Sequence, residues 1–237
     1  MQTYRLMWGG VLMAAVVAWM GWGTSPALAQ QARVPRTGQT TCLDAAGSPI
    51  NCTGTGQDGA IQTGVPSPNP RFSDTKDGTV KDNLTNLIWL KNAECFGLQT
   101  WANALNAANT LANGACGLAD GSVAGTWHVP NVREVQSLID FGTFNPALPS
   151  GHPFSGVQPG IYWSSTTIAD DPGLAWGVSL VVGSPRPVGK ADTSRVWPVR
   201  GETKGAEPLI QGEGHGRHRK PGTQCRRALR RRGSGML

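Results

Sequence analysis

Side chains able to move a proton or attack a carbon are few and scattered in this 237-residue sequence. Before residue 203 there are two histidines, His128 and His152. A general base needs a partner within hydrogen-bond reach and an orienting group behind it. His128 stands two residues before Pro130, at the end of an expected strand, and reads as structural. His152 lies in Gly-His-Pro-Phe, inside a long loop, and is the better functional candidate. Ser164 and Ser165 follow Trp163, but the Gly-x-Ser-x-Gly elbow of hydrolases is missing. Asp170 and Asp171 are adjacent, so on a strand their carboxylates point apart. There is no HExxH, no His-x-His pair and no GxxxxGK. Asp74, Asp77 and Asp82 with Gly78 lack the spacing of an EF-hand and read as turn residues. No enzyme, metal or cofactor is therefore expected. The enzymatic alternative is a hydrolase assembling Asp140, His152 and Ser164 or Ser165 around the 141–160 loop.

Binding is better supplied than catalysis. Tyr162, Trp163 and Trp176 could offer aromatic faces, and Arg186, Lys190 and Arg195 could offer cations from the same strand region. Aromatic faces beside cations suit sugars and sulfated glycans. With His152, these six form the expected ligand-binding set. The competing reading puts the tryptophans in the core and leaves the cations to solvent.

The setting for these residues is an oxidising one. Residues 1–29 open with MQTYR, continue in an apolar run over 6–22, and end in Ala27-Leu28-Ala29. That is the pattern of a cleavable signal peptide, with an uncleaved membrane anchor as its rival. Export to the periplasm, the cell surface or the medium is expected. Disulfides persist in such compartments. Cys42, Cys52, Cys95 and Cys116 allow three pairings, and the sequence-local one, Cys42–Cys52 with Cys95–Cys116, is expected. A zinc site is excluded by spacing, since no CxxC occurs and no histidine sits near either pair. Cys225 is left over.

Charge is unevenly placed. Residues 30–202 hold eleven Lys/Arg against thirteen Asp/Glu, whereas residues 203–237 hold nine against two. The folded part is near neutral and is not expected to bind nucleic acid. The basic character belongs to a tail (202–237) with few apolar residues, read as disordered, with an interaction arm for anionic partners and an altered reading frame after Gly201 as the alternatives.

The elements that must position the candidates can be read from pattern. Residues 30–70, rich in Gly, Thr, Pro and Gln, form an extended, disulfide-stapled lead-in ending in the Pro-rich run 66–70. A domain follows over 71–201. A short strand at 71–74 precedes a hairpin of 79–81 and 87–90. Trp101, Ala104, Leu105, Ala108 and Leu111 mark an amphipathic helix between 99 and 112. In 127–140, WHVPNVREVQSLID, a strand end is stopped by Pro130, capped by Asn131 with Glu134 three residues on, and followed by a helix to 140. The 141–160 stretch is a long Pro/Gly-rich loop. Strands are expected at 161–167, at 174–182 from a period-two alternation, and at 194–200, where Pro198 demands an edge or a bulge. Six tryptophans after residue 29 fit an aromatic core. The fold class is α+β: two amphipathic helices packed on short antiparallel strands and stapled by disulfides.

Taken in order, RFSDTKDGTVKDNLTNLIWLKNAECFG, WANALNAANTLANG, WHVPNVREVQSLID, PALPSGHPF, YWSSTT, AWGVSL and VWPVRG resemble the Lcl C-terminal domain family over about 71–201. That family is named after a collagen-like adhesin of Legionella. The resemblance implies an exported bacterial domain of surface proteins, adhesive in the name-giving member, where it binds sulfated glycans. It also implies a C-type-lectin-like fold. Partners would be glycans or an envelope protein. The membrane would be met only through an uncleaved leader.

Overall fold

The computed structural model describes residues 34–201; the expected leader (1–29) and basic tail (202–237) lie outside the described residues. The lead-in is not extended. Strands β1 (Cys42–Leu43) and β2 (Pro49–Ile50) pair antiparallel across the Gly47-Ser48 turn, and Cys42 is bonded to Cys52. A single helical turn, α1 (Asp58–Ile61), follows, and Pro35 then bridges Val65 in parallel. The segment doubles back because its backbone finds partners: Arg36 N–H donates to the Val65 carbonyl at 3.0 Å, and Val65 N–H to Val34 at 2.8 Å.

Three short strands come next: β3 (Phe72–Asp74), β4 (Thr79–Asp82) and β5 (Ile88–Leu90), an antiparallel meander. Then β6 (Leu98–Thr100) runs directly into helix α2 (Trp101–Thr110). Helix α3 (Val132–Ser137) is shorter than the period of its apolar residues predicts, because Leu138 and Ile139 continue inward as a turn rather than a helix. Its start is as expected: the Asn131 side chain accepts from the N–H groups of Arg133 and Glu134, and the Glu134 carboxylate accepts from Asn131 N–H.

The last third adds β7 (Ile161–Thr167), β8 (Leu174–Ser179), β9 (Ser184–Gly189), β10 (Thr193–Arg195) and β11 (Val199–Arg200). The expected strand over 194–200 is two strands in two sheets. β10 lies inside a five-stranded sheet ordered β6-β10-β7-β8-β9, and β11 closes the edge of a four-stranded sheet ordered β11-β5-β4-β3. Pro198 stands at the crossing, where it need not donate to either ladder. The prolines of β9, Pro185 and Pro187, are tolerated because β9 is an edge. Pairing is not wholly antiparallel, since β10 meets β7 in parallel with Arg195 opposite Tyr162.

Strand alternation divides the core in two. On one face of the five-stranded sheet, Tyr162, Val178 and Leu180 join Trp89, Trp127, Trp197 and the α3 residue Val135. On the other, Trp163, Ala175 and Val196 pack against Ala104 and Ala108 of α2. Trp197 is the hub of the first cluster, with ring centroids at 5.5 Å from Trp89, 4.8 Å from Phe154 and 5.5 Å from Tyr162. Its indole N–H donates to the Leu90 carbonyl at 2.8 Å, which keeps the buried polar edge satisfied. The second disulfide, Cys95–Cys116, ties the approach to β6 to the far side of α2.

Candidate functional site

The expected binding set is dispersed. Tyr162 and Trp163 are fully buried, so neither presents a face to solvent. Period-two geometry sends them into opposite core clusters, and both polar ends are engaged: the Tyr162 hydroxyl accepts from Gln158 N–H at 3.0 Å, and the Trp163 indole donates to Gln99 at 2.7 Å. Burial pushes the Tyr162 hydroxyl up to about 12. Trp176 is half-buried and lines a cavity of about 210 Å³ with Val132, Arg133, Gln136 and Pro185. Arg186, opposite Gly177, is one residue out of step with the Trp176–Pro187 pair and therefore emerges on the other face of the sheet.

The remaining cations are already occupied. Lys190 sits 4.1 Å over the Trp101 ring and donates to the Thr167 hydroxyl at 2.9 Å. Arg195 is paired with Glu94. His152 is partly buried beside Phe154, with ring centroids 5.7 Å apart, and its buried Nδ1 has no hydrogen-bond partner. Burial lowers its pKa, against a smaller upward effect of its own backbone.

The groups of the hydrolase alternative have separate commitments. Ser164 is buried and donates to the Trp176 carbonyl at 2.6 Å, while the Asp140 carboxylate accepts from Gly142 N–H at 2.8 Å. The acidic residues of the β3–β4 region are also spoken for. Asp74 holds Lys76 and Lys91, Asp77 accepts from Thr75 and Thr79, and Asp82 holds Arg71.

What the fold does assemble is a cleft of about 460 Å³ between α2 and the strand end 127–129. Leu105, Trp127 and Val129 supply its apolar lining, and Asn106, Asn109, His128 and Ser165 its polar one. Asn106 and Asn109 share one face of α2, since residues three apart are neighbours on a helix. His128 is fixed by two backbone bonds of 3.0 Å with Val199, and its Nε2 lies 3.4 Å from the Glu134 carboxylate. Burial raises the Glu134 carboxyl, but hydrogen bonds from His128 and from Asn131 N–H outweigh it and hold the group below the usual carboxylate range. Ser165 is set by its N–H, which donates to Pro130 at 2.8 Å.

The cleft thus offers two carboxamides, an imidazole and a hydroxyl, with an indole beneath and no Lys or Arg among its lining residues. Such groups both donate and accept, which is what a neutral polyhydroxylated ligand requires. Nothing in the sequence marks Asn106 and Asn109 as a site, because polar residues three apart on an amphipathic helix are the ordinary exposed face.

Comparison with known families identifies a match. The model of the Lcl C-terminal domain family fits residues 78–200, which contain the cleft, the second core cluster, all of the first but Phe72, and the Cys95–Cys116 bridge. No curated protein matches the chain.

Proposed function

Because the chain belongs to the Lcl C-terminal domain family, we propose that it is an exported, adhesin-like binding module that takes a carbohydrate in the cleft between α2 and residues 127–129. The observation that carries this reading is the convergence of Asn106, Asn109, His128 and Ser165 over the apolar Trp127–Val129 lining. Two disulfides, which persist in oxidising compartments, agree with an extracellular or surface location. Among the described residues no helix is long and apolar enough to cross a membrane. The order of helices, long loop and strands around the disulfides supports a C-type-lectin-like architecture. An uncharged sugar fits the cleft better than a sulfated one, since Lys190 and Arg195 are engaged elsewhere and Arg186 stands on an edge strand.

A glycan array probed with the exported chain, at low and at physiological salt, tests the reading. Binding is expected to survive physiological salt and to weaken about five- to thirtyfold in Asn106→Ala/Asn109→Ala, the loss of one or two hydrogen bonds of ~1 kcal/mol each. The thermal unfolding of that variant should stay within the range of a surface substitution. Binding that disappears with salt and ignores the variant would assign attraction to the basic 203–237 segment instead. No binding to any glycan would overturn the proposal and leave an envelope protein as the partner to seek.

A further inference from the structure

A second surface, built from different residues than the cleft, has the chemistry of a membrane contact. Turn residues are ordinarily polar or small, yet two turns here and the first described residue of the lead-in carry large apolar groups into solvent. Val34 is 61 % exposed, Phe144 79 % and Val182 50 %, and Phe141 is nearly half exposed. They come together because the lead-in and the two turns are tied edge to edge. Phe141 N–H donates to the Thr37 carbonyl at 2.7 Å, and Asn145 N–H to Val181 at 2.9 Å. The approach of the lead-in is so close that a Cβ on Gly38 would lie 2.0 Å from the Asp140 carboxylate. Gly183, at φ +76°, would place one 3.3 Å from the Phe141 ring.

Beside Val34 and Phe141 lies a cavity of about 480 Å³, lined by these two and Ile139 together with Arg36 and Arg133. Arg36 makes only long contacts, of 3.3 and 3.4 Å, to Gly64 and Gln62. Arg133 is exposed, and its guanidinium has no carboxylate partner among the described residues. Asp140 accepts from Gly142 N–H and Asp58 from the Thr37 hydroxyl. Exposed aromatic and aliphatic tips around two available guanidinium groups match an interface with acyl chains below and phosphates above.

We propose that this face, Val34, Phe141, Phe144 and Val182 around Arg36 and Arg133, seats the protein on an anionic phospholipid surface, with a headgroup phosphate held between the two arginines. A second copy of the chain fits less well, because a two-fold pairing of the patch would set arginines against arginines. Seating by this face is independent of what the α2 cleft binds.

Hydrogen exchange on the exported chain with residues 1–29 removed, with and without vesicles of phosphatidylglycerol and phosphatidylcholine, reads the contact by position, so the basic tail cannot mimic it. Protection is expected at 34–37, 139–145 and 180–183. It should fall at least fivefold in Arg36→Gln/Arg133→Gln and in Phe141→Ser/Phe144→Ser, and with pure phosphatidylcholine. Vesicle-bound chain without protection at these segments would overturn the proposal. So would equal protection by inorganic phosphate alone, which would make the site one for a free anion, or protection that grows with protein concentration in the absence of lipid, which would make it a self-association face.

Discussion

Asp82 shows how far a single residue's role can sit from its local pattern. In sequence it stands in an Asp-Asn turn between two strands. In the structure it is fully buried, with Arg71 Nε at 2.7 Å on one carboxylate oxygen and a second Arg71 nitrogen at 2.9 Å on the other. Leu84 N–H and the Thr85 hydroxyl complete its shell, and Arg71 also donates to the Ser137 carbonyl at the end of α3. A buried pair adds little net stability, but removing one member strands the other charge in low dielectric. Asp82→Asn is therefore expected to cost about 3–5 kcal/mol, read as a shifted urea midpoint at unchanged slope. A loss under about 1 kcal/mol, the surface-pair level, would show that Arg71 remains solvated. The same distance between pattern and role applies to Tyr162, Trp163, Lys190 and Arg195. Their types suit a ligand, and the fold uses them internally.

Among the elements, α3 depends most on its ends. A helix of six residues has more unsatisfied terminal groups than internal bonds, so side chains must complete it. Asn131 serves two N–H groups, the Thr166 hydroxyl a third at Val132, and Glu134 returns a bond to Asn131. Asn131→Ala should destabilise the domain by about 1 kcal/mol, the usual cost of a lost cap. Since Glu134 also meets His128 at 3.4 Å, the variant should in addition move the His128 ring chemical shifts at fixed pH, and unmoved shifts would separate the cap from the cleft. This start was legible, because Asn-x-x-Glu after a proline is a local signal. The helix end was not. Val132, Val135, Leu138 and Ile139 keep a helical period, but the Asp140 N–H bonds the distant Ala147 carbonyl, a competitor that local sequence does not display. Strand β9 was missed for a related reason: its two prolines deny it in isolation, and only its place at an edge permits it.

At the scale of the molecule, the cysteine bridges compensate for short elements. Cys95 and Cys116 close a loop of sequence separation 21 that contains β6 and α2. In the chain-entropy picture such a link is worth about 3 kcal/mol, so Cys95→Ser/Cys116→Ser should lower the guanidinium-derived stability by that order. A decrease well below that would mean that α2 is held by its Ala104–Ala108 face alone.

The division of charge between 30–202 and 203–237, the capped entry to α3 and the sequence-local choice of disulfides are carried by contiguous residues. Local composition and spacing determine such features, and they were readable without coordinates. The order of family motifs was readable too, and the match over 78–200 agrees with it. The crossing at Pro198 between two sheets, the docking of the lead-in against Phe141, and the meeting of Asn106 and Asn109 with His128 and Ser165 were decided only by tertiary structure. Each depends on which distant backbone group satisfies an N–H or carbonyl and which face of a strand turns inward. Those choices are made by burial across the whole chain, where pairs far apart in sequence compete for the same partners.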